Sequence, residues 1–377
     1  MINFDNAATT FPKPEIVNAA VLEAIEKYGG NPGRSGHRLS SDTAEAVYLS
    51  RKKAAAFFGA EPENVVFTLN CTEALNFAIK GIMNRYGGHI VISDYEHNSV
   101  VRPVFSLSKR GVGYSVAHIY PDDNMTVSSF QNSLRHDTRL VVCTAASNVT
   151  GQIPPIEKIA ELCRRKNICF IVDAAQAAGV IPLKIGNGIN FICAPGHKGL
   201  YGPSGTGLLI SDGKYRLSPL IEGGTGSLSM VFEQPSFMPD LLESGTVNVV
   251  GIHALGKGID FVTAKGTENI RKHEEMLCDR FINGISHTEG IRIYRENGGK
   301  YAPIVSFNAE GFTSNELASL LSDNGICLRG GLHCSGMAHT ALGTAPNGTI
   351  RFAPSVFNNT SQVEELIYSL KKILKKP

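Results

Sequence analysis

An α/β fold with a mostly parallel seven-stranded sheet, followed by a smaller α+β domain, is the architecture this sequence predicts. Three observations point to it. Between about residues 64 and 212, seven apolar, β-branched runs alternate with helix-period segments, the pattern of βα units on a buried sheet. A Gly-rich stretch at 221–227 then breaks the alternation. Beyond it, helical and strand-like segments resume in a different order, and 377 residues are enough for one large domain and a smaller one.

The strand candidates are 65–69, 89–93, 112–119, 140–145, 169–172, 191–193 and 207–210. Between them lie 72–86, 99–109 and 156–166, each with apolar residues at i, i+3 and i+4 on one face, which makes them the covering helices. A long helical pattern at 249–264 leads into a second unit containing helix-like 271–285, strand-like 304–307, helix-like 314–324, and strand-like 326–329 and 349–353. An amphipathic helix at 361–375 closes the chain, its lysines suiting the negative end of the helix dipole. The expected division is therefore 1–255 for the large domain and 256–377 for the small one, with the N-terminal arm contributing to the latter.

Composition narrows the function classes. The chain is 42% hydrophobic and 19% charged with a formal net charge of +2, an ordinary globular balance that points to no nucleic acid or acidic partner. The start, Met-Ile-Asn-Phe-Asp, lacks the basic and apolar regions of a signal peptide, and no apolar stretch is long enough for a membrane helix. The expected location is cytoplasmic, with no membrane contact. Eight cysteines show neither a Cys-x-x-Cys pair nor zinc-finger spacing, so no metal is expected. Cys143, Cys169 and Cys193 sit in apolar runs and read as packing, whereas Cys334 is flanked by Gly, His and Ser.

In an open parallel sheet, ligands bind beyond the carboxyl ends of the strands, so polar residues just after apolar runs are the ones to weigh. Asp173, Lys198, Asn148 and Thr72 occupy such places. Together they offer what pyridoxal phosphate (PLP) requires: an amine for a Schiff base, a carboxylate for the pyridinium nitrogen and a phosphate cradle. Asp173 ends a buried strand and would stay ionised only opposite a cation. Lys198 lies in GHKGLYGPSGTG, with no other Lys, Arg, Asp or Glu, where burial would favour the neutral amine. The Asn70-Cys71-Thr72-Glu73 turn opens a helix whose free N–H groups suit a phosphate. Singly, each has a plainer reading: a cap, a solvated lysine, a glycine-rich turn. Their occurrence in order at successive strand ends favours the cofactor.

DNAAT (5–9), CTEALN (71–76), YEHNS (95–99), SNVTG (147–151), VDAAQ (172–176), GHKGLYGPSGTG (196–207) and ESGTVN (243–248) together resemble the class V, aspartate-aminotransferase-fold PLP enzymes, that is, fold type I. The likeness runs nearly end to end. It implies Lys198 as the Schiff-base lysine, Asp173 at the pyridine nitrogen, Gln176 at the phenolic oxygen and His97 stacked on the ring. Thr72, the Cys71 backbone and His197 would hold the phosphate, with Asn148 near the ring substituents. Thr246 resembles a residue that reaches the phosphate from a neighbouring subunit, implying a homodimer with shared sites. One position departs from the pattern: where relatives carry Ser or Thr three residues before the lysine, this chain has Pro195, with neither hydroxyl nor N–H. Two consequences are open: a lower PLP affinity, or compensation by Thr225 or Ser227 in GGTGS.

The segment Arg329-Gly330-Gly331-Leu332-His333-Cys334 resembles the Arg-x-Gly-x-His-Cys motif of the cysteine desulfurase and selenocysteine lyase branch. That likeness implies removal of sulfur from L-cysteine, giving L-alanine and a persulfide on Cys334, with His333 or Arg329 favouring the thiolate. His97 would shuttle a proton at the substrate thiol. Arg351 would bind the substrate carboxylate through its guanidinium fork, with Ala7, Asn148 and Arg329 beside the substrate. A sulfur-acceptor protein is the expected partner. His37 and Arg34 in NPGRSGHRLS are candidates for the entrance. Selenocysteine lyase, or another class V reaction such as transamination, epimerisation or carbon–sulfur lysis, uses the same Lys/Asp/His set, and only the cysteine discriminates.

Overall fold

The structure is a computed structural model that describes residues 1–33 and 36–375; Arg34 and Lys376 lie outside the described residues. The chain runs through β1 (Ile2–Asn3), α1 (Glu15–Lys27), α2 (Arg38–Phe58), β2 (Val65–Thr68), α3 (Cys71–Tyr86), β3 (His89–Ser93), α4 (Asn98–Ser108) and β4 (Gly113–Ala117). It continues with α5 (Asp123–Ser133), β5 (Thr138–Thr144), α6 (Ile156–Lys166), β6 (Cys169–Asp173), β7 (Phe191–Pro195) and β8 (Gly207–Ser211). The remainder comprises α7 (Val249–Lys265), α8 (Thr267–Ile285), β9 (Ile291–Ile293), β10 (Val305–Ala309), α9 (Ser314–Asp323), β11 (Ile326–Cys327), α10 (Gly336–Ala341), β12 (Ile350–Phe352) and α11 (Thr360–Leu374).

Seven strands form one sheet in the order β2-β8-β7-β6-β5-β3-β4. β2, β3, β6, β7 and β8 are buried at every residue, because helices cover both faces, and this is why they read as unbroken apolar runs. β8 lies antiparallel to both neighbours. The 196–206 connection carries no crossover helix, so the chain can return only as an antiparallel strand. All other pairings in the sheet are parallel. The carboxyl ends of β2, β3, β5, β6 and β7 therefore share one edge, and the loops that follow converge there.

Local signals explain the helix ends. Asn70 caps α3 by accepting from the Glu73 amide at 3.0 Å, while the Glu73 carboxylate accepts from the Leu69 amide at 2.6 Å. α6 carries Glu157 in its first turn and Arg164, Arg165 and Lys166 in its last, and Asn167 closes it in the left-handed region at φ 53°. The sequence pattern did not show α1, α2 or α5. In α2 the buried face is built of small residues, among them Ser40, Thr43, Ala46, Ser50 and Ala54, so its period carries little hydrophobic contrast. Small residues are needed where α7 crosses it: a Cβ on Gly256 would sit 2.6 Å from Ser50 Oγ.

Two apolar clusters sandwich the large sheet, one including Phe170, Ile192 and Leu255, the other Leu75, Ile90 and Leu209. A separate cluster, with Phe281, Phe307, Leu366 and Phe352, lies around the antiparallel sheet β12-β10-β9. Phe4 belongs to this smaller cluster, and β1 pairs in parallel with β11, so the N-terminal arm packs with the C-terminal third of the chain. We propose that these cores are the large and small domains; residue 256 falls inside α7, the helix that leads from one to the other.

A buried ion pair ties α2 to the segment preceding α7. Arg51 meets Glu243 through two bonds of 2.7 and 2.8 Å, and Glu243 also accepts from the Phe67 amide at 2.6 Å. Both side chains are less than a tenth exposed. Glu243 opens the ESGTVN motif, and its contacts here are structural. Replacing Glu243 with Ala strands the Arg51 charge in the interior, with an expected loss of about 3–5 kcal/mol in stability. Denaturant unfolding measures it, and a loss below about 1 kcal/mol contradicts this role.

Candidate active site

At the shared edge of the large sheet lies a cavity of about 230 Å³. The strand ends deliver Thr72, His97, Asn148, Asp173 and Lys198 to its wall, and the smaller core contributes Arg329, His333 and Arg351. Ala7, Cys71, Gln176 and His197, also expected from sequence, line it too, as does Pro195, whereas Cys334 and Thr246 are not among its lining residues. Other clefts are larger, such as one of about 450 Å³ around Tyr86, Arg139 and Tyr215, but none holds this combination among the described residues.

Lys198 follows β7 in a turn clamped by the N-terminal arm. The Thr10 hydroxyl donates to the His197 and Lys198 carbonyls at 3.1 Å each, and Lys13 Nζ donates to the His197 carbonyl at 2.7 Å. On the far side, a Cβ on Gly199 would meet the Ala178 carbonyl at 2.3 Å, so only glycine allows this approach. Burial, aided by the Arg351 charge, pushes the Lys198 ammonium down to about 8, against the opposing pull of Asp173. Asp173 is 2% exposed; burial pushes its carboxyl up, while the Ala175 amide, donating at 2.9 Å, and the Lys198 charge hold it down.

The N-termini of α3 and α4 meet beside it. His97 caps α4, its Nδ1 accepting from the Ser99 amide at 3.1 Å, which leaves Nε2 to carry the ring proton. Burial and the Lys198 charge push its imidazolium down to about 4, so the ring is neutral. Ser99 was not anticipated as a site residue. Its hydroxyl lies 2.7 Å from Thr72 Oγ1 and 2.8 Å from His97 Nδ1, adding a hydroxyl to the pair of helix N-termini. The only sequence signal was its place in YEHNS. Thr225 and Ser227 do not line this cavity; they bond to each other, and Ser227 to Asp240. The Gln176 amide donates to the Ala7 carbonyl at 3.0 Å, another tie to the arm.

Arg351 is 1% exposed, on β12. Nη1 donates to the Asn148 carbonyl at 2.9 Å and Nη2 to Asp5 at 2.9 Å, leaving Nε without a partner. Asp5 as the carboxylate that holds this arginine left no local signal in the chain, since 346 residues separate them. Arg329 pairs with Arg351 through the backbone, and its Nη2 lies 3.9 Å from Cys334 Sγ. Cys334 is exposed, alone among the eight cysteines in that class. His333 is not the residue beside the sulfur. It is 3% exposed, bonds to the Thr349 carbonyl at 3.0 Å, and its imidazolium is pushed down to about 2, largely by burial, so it brings no positive charge to the thiol.

His333 and Cys334 both adopt left-handed backbone, with φ of 48° and 58°. That conformation costs about 1 kcal/mol or more for each non-glycine residue. Thr246 lies away from this cavity, accepting from Asn31 Nδ2 at 3.2 Å. His37 does not line it either; it caps α2. No group of three or more His, Cys, Asp or Glu among the described residues is arranged to hold a metal. No described helix is long and apolar enough to cross a membrane.

The Lys198 environment makes a direct prediction. In the protein without cofactor, acylation of Lys198 by an amine-selective reagent, followed by mass spectrometry of its peptide, should rise with pH and level off above about 8. A rate that keeps climbing towards the ordinary lysine value of 10.5 contradicts the burial argument.

Comparison with known proteins agrees with this geometry. The family model for class-V aminotransferases matches residues 2–366. A probable cysteine desulfurase of Methanothermobacter thermautotrophicus is 31% identical, covering 98% of this chain and 94% of the relative. One of Pyrococcus abyssi is also 31% identical, covering 100% and 94%. The apo structure of a cysteine desulfurase from Thermococcus onnurineus superposes with a TM-score of 0.92 at 31% identity, covering 99% of this chain and 94% of that one. The matched span, the two-core architecture and the end-to-end similarity place this chain in the class-V aminotransferase family, among the relatives of the cysteine desulfurases.

Proposed function

We propose that this protein is a PLP-dependent cysteine desulfurase that converts L-cysteine to L-alanine and carries the removed sulfur as a persulfide on Cys334. One observation carries the reading beyond the family: the exposed Cys334 thiol stands 3.9 Å from Arg329, a residue of the same cavity wall as Lys198. The sequence likeness of the 329–334 segment and the similarity to cysteine desulfurases support it.

The residues present fit the cofactor. A buried carboxylate, Asp173, faces a cavity that also holds a lysine displaced towards its neutral form. At the other end, the Cys71 and Thr72 amides at the start of α3, which the Asn70 cap does not take, the Thr72 and Ser99 hydroxyls and the unpartnered buried Nδ1 of His197 supply donors for a phosphate. Pro195 removes one expected hydroxyl, and Ser99 stands beside Thr72 to supply another. When bound, PLP supplies an electrophilic aldehyde and an electron sink for the substrate's Cα and Cβ bonds.

Lys198 would hold the cofactor as its Schiff-base lysine and then move a proton at the substrate Cα, which a lysine with its ammonium near 8 can do around neutral pH. Asp173 would hold the pyridinium proton, Gln176 the phenolic oxygen, and His97 the ring face. Cys71 N–H, Thr72 and His197 would hold the phosphate, with Thr246 reaching it from a second copy of the chain. Arg351 would take the substrate carboxylate. Asp5 and the Asn148 carbonyl fix its terminal nitrogens in orientation, and the unpartnered Nε is the donor still to be satisfied. Ala7, Asn148 and Arg329 would border the substrate, and His97 would exchange the proton at its thiol.

The transfer balances as L-cysteine plus the Cys334 thiol giving L-alanine plus the Cys334 persulfide. Arg329 beside Sγ would stabilise the attacking thiolate. A sulfur-acceptor protein, docking at this exposed position in the cytoplasm, would then remove the sulfur. Homodimer formation is supported by the 228–232 segment, where Met230 and Phe232 are over nine-tenths exposed and Leu228 and Val231 about half.

With L-cysteine, the purified protein should release alanine and form a persulfide, and Cys334→Ala should abolish both while leaving cofactor absorption intact. Retained alanine release in Cys334→Ala contradicts the assignment. L-selenocysteine run in parallel distinguishes a lyase, which would release alanine from it alone. Phe232→Glu should convert a dimer into a monomer in sedimentation; an unaltered dimer removes this segment from the interface.

A further inference from the structure

The loop that carries Cys334 gets little help from apolar burial at its tip: Leu332 is 38% exposed and Cys334 is exposed. Hydrogen bonds hold it instead. The Asn148 amide is engaged at both ends, Nδ2 donating to the His333 carbonyl at 2.8 Å and Oδ1 accepting from Ser335 Oγ at 2.7 Å. The Cys334 carbonyl accepts from the Asn98 amide at 2.8 Å. That amide is a free donor of the first turn of α4, directly after His97. Three consecutive residues of the small core are thus fastened to the ends of β3 and β5 in the large one.

The backbone being fastened is one the residues would not choose. His333 and Cys334 are left-handed in succession, and neither is glycine. A conformation of this kind persists only where its surroundings over-determine it. Ser335 is fully buried, and its hydroxyl reaches nothing in the cavity directly; its bond is to Asn148. Asn148 in turn lines the cavity, and its carbonyl receives Arg351 Nη1.

We propose that Ser335 is a positioning residue: through Asn148 it latches the strained 333–334 backbone and so fixes the Cys334 thiol beside Arg329 of the cavity wall. The latch rests on Cys334 being the sulfur-accepting residue only for its consequence in turnover; its effect on the loop is independent of that reading. Asn148 thereby ties the thiol's position to the arginine proposed to bind the substrate carboxylate.

The test uses the holoenzyme and Ser335→Ala, which removes one hydroxyl and leaves every group proposed to touch cofactor or substrate in place. Cofactor absorption and KM for L-cysteine should stay near wild type, while kcat falls about tenfold, the effect of losing one buried hydrogen bond that holds a reacting group. Amide hydrogen exchange at Ser335 and Asn98, whose N–H groups donate to the Leu332 and Cys334 carbonyls, should quicken by about the same factor, with exchange in β5 and β6 unchanged. Wild-type kcat together with unchanged exchange overturns the latch, and so does a loss of activity that follows loss of cofactor. If the wild-type protein releases no alanine from L-cysteine, the desulfurase reading fails, and the exchange comparison alone still decides whether Ser335 holds the loop.

Discussion

The arrangement depends on keeping a lysine amine available in a cavity that is itself positively charged. Lys198, Arg329 and Arg351 face the same space, and Asp173 is the carboxylate that opposes them from within it. Burial and the neighbouring guanidinium displace the Lys198 ammonium towards its neutral form, and Asp173 limits how far. The excess positive charge draws anions, and an amino-acid carboxylate and a phosphate are the two anions the proposed reaction requires. The fold sets up this balance by ending five parallel-running strands on one edge, each followed by a loop that places a polar residue.

Two long-range ties then complete the site. The N-terminal arm crosses from the small core, where Phe4 is buried, to the Lys198 turn, which Thr10 and Lys13 clamp. On its way Asp5 neutralises and orients Arg351. The second tie is the Cys334 loop, which leaves the small core and is fastened to the Asn98 and Asn148 ends of the large sheet. The site is therefore built at the meeting of two cores, and each tie crosses between them.

Much of this was legible in the sequence, and the physical reason is burial. Strands covered on both faces must be apolar throughout, so β3 appears in the sequence with its observed limits and the other large-sheet strands nearly so. α6 was equally clear, since its stripe, capping residues and charge gradient agree. The small-residue face of α2 carried no such contrast, and the antiparallel course of β8 depends on what its connection lacks, which a run of apolar residues does not report. At the site, residues just beyond strand ends were found because position alone marks them. Asp5, Ser99 and Ser335 were not, because each acts on another side chain; the partners of Asp5 and Ser335 lie 346 and 187 residues away, and Ser99 gains its role only where α3 and α4 meet. The choice between His333 and Arg329 beside the thiol also needed coordinates: the sequence left both open, and in the structure the histidine is buried against the Thr349 carbonyl while Arg329 approaches the sulfur.

Lys198, and no other amine of this chain, is the group proposed to carry the cofactor. Borohydride reduction of the protein saturated with PLP, followed by proteolysis and mass spectrometry, locates the attachment point. A single phosphopyridoxyl mass on the peptide containing Lys198 is the expected result; a label on any other lysine, or none at all, would overturn the assignment.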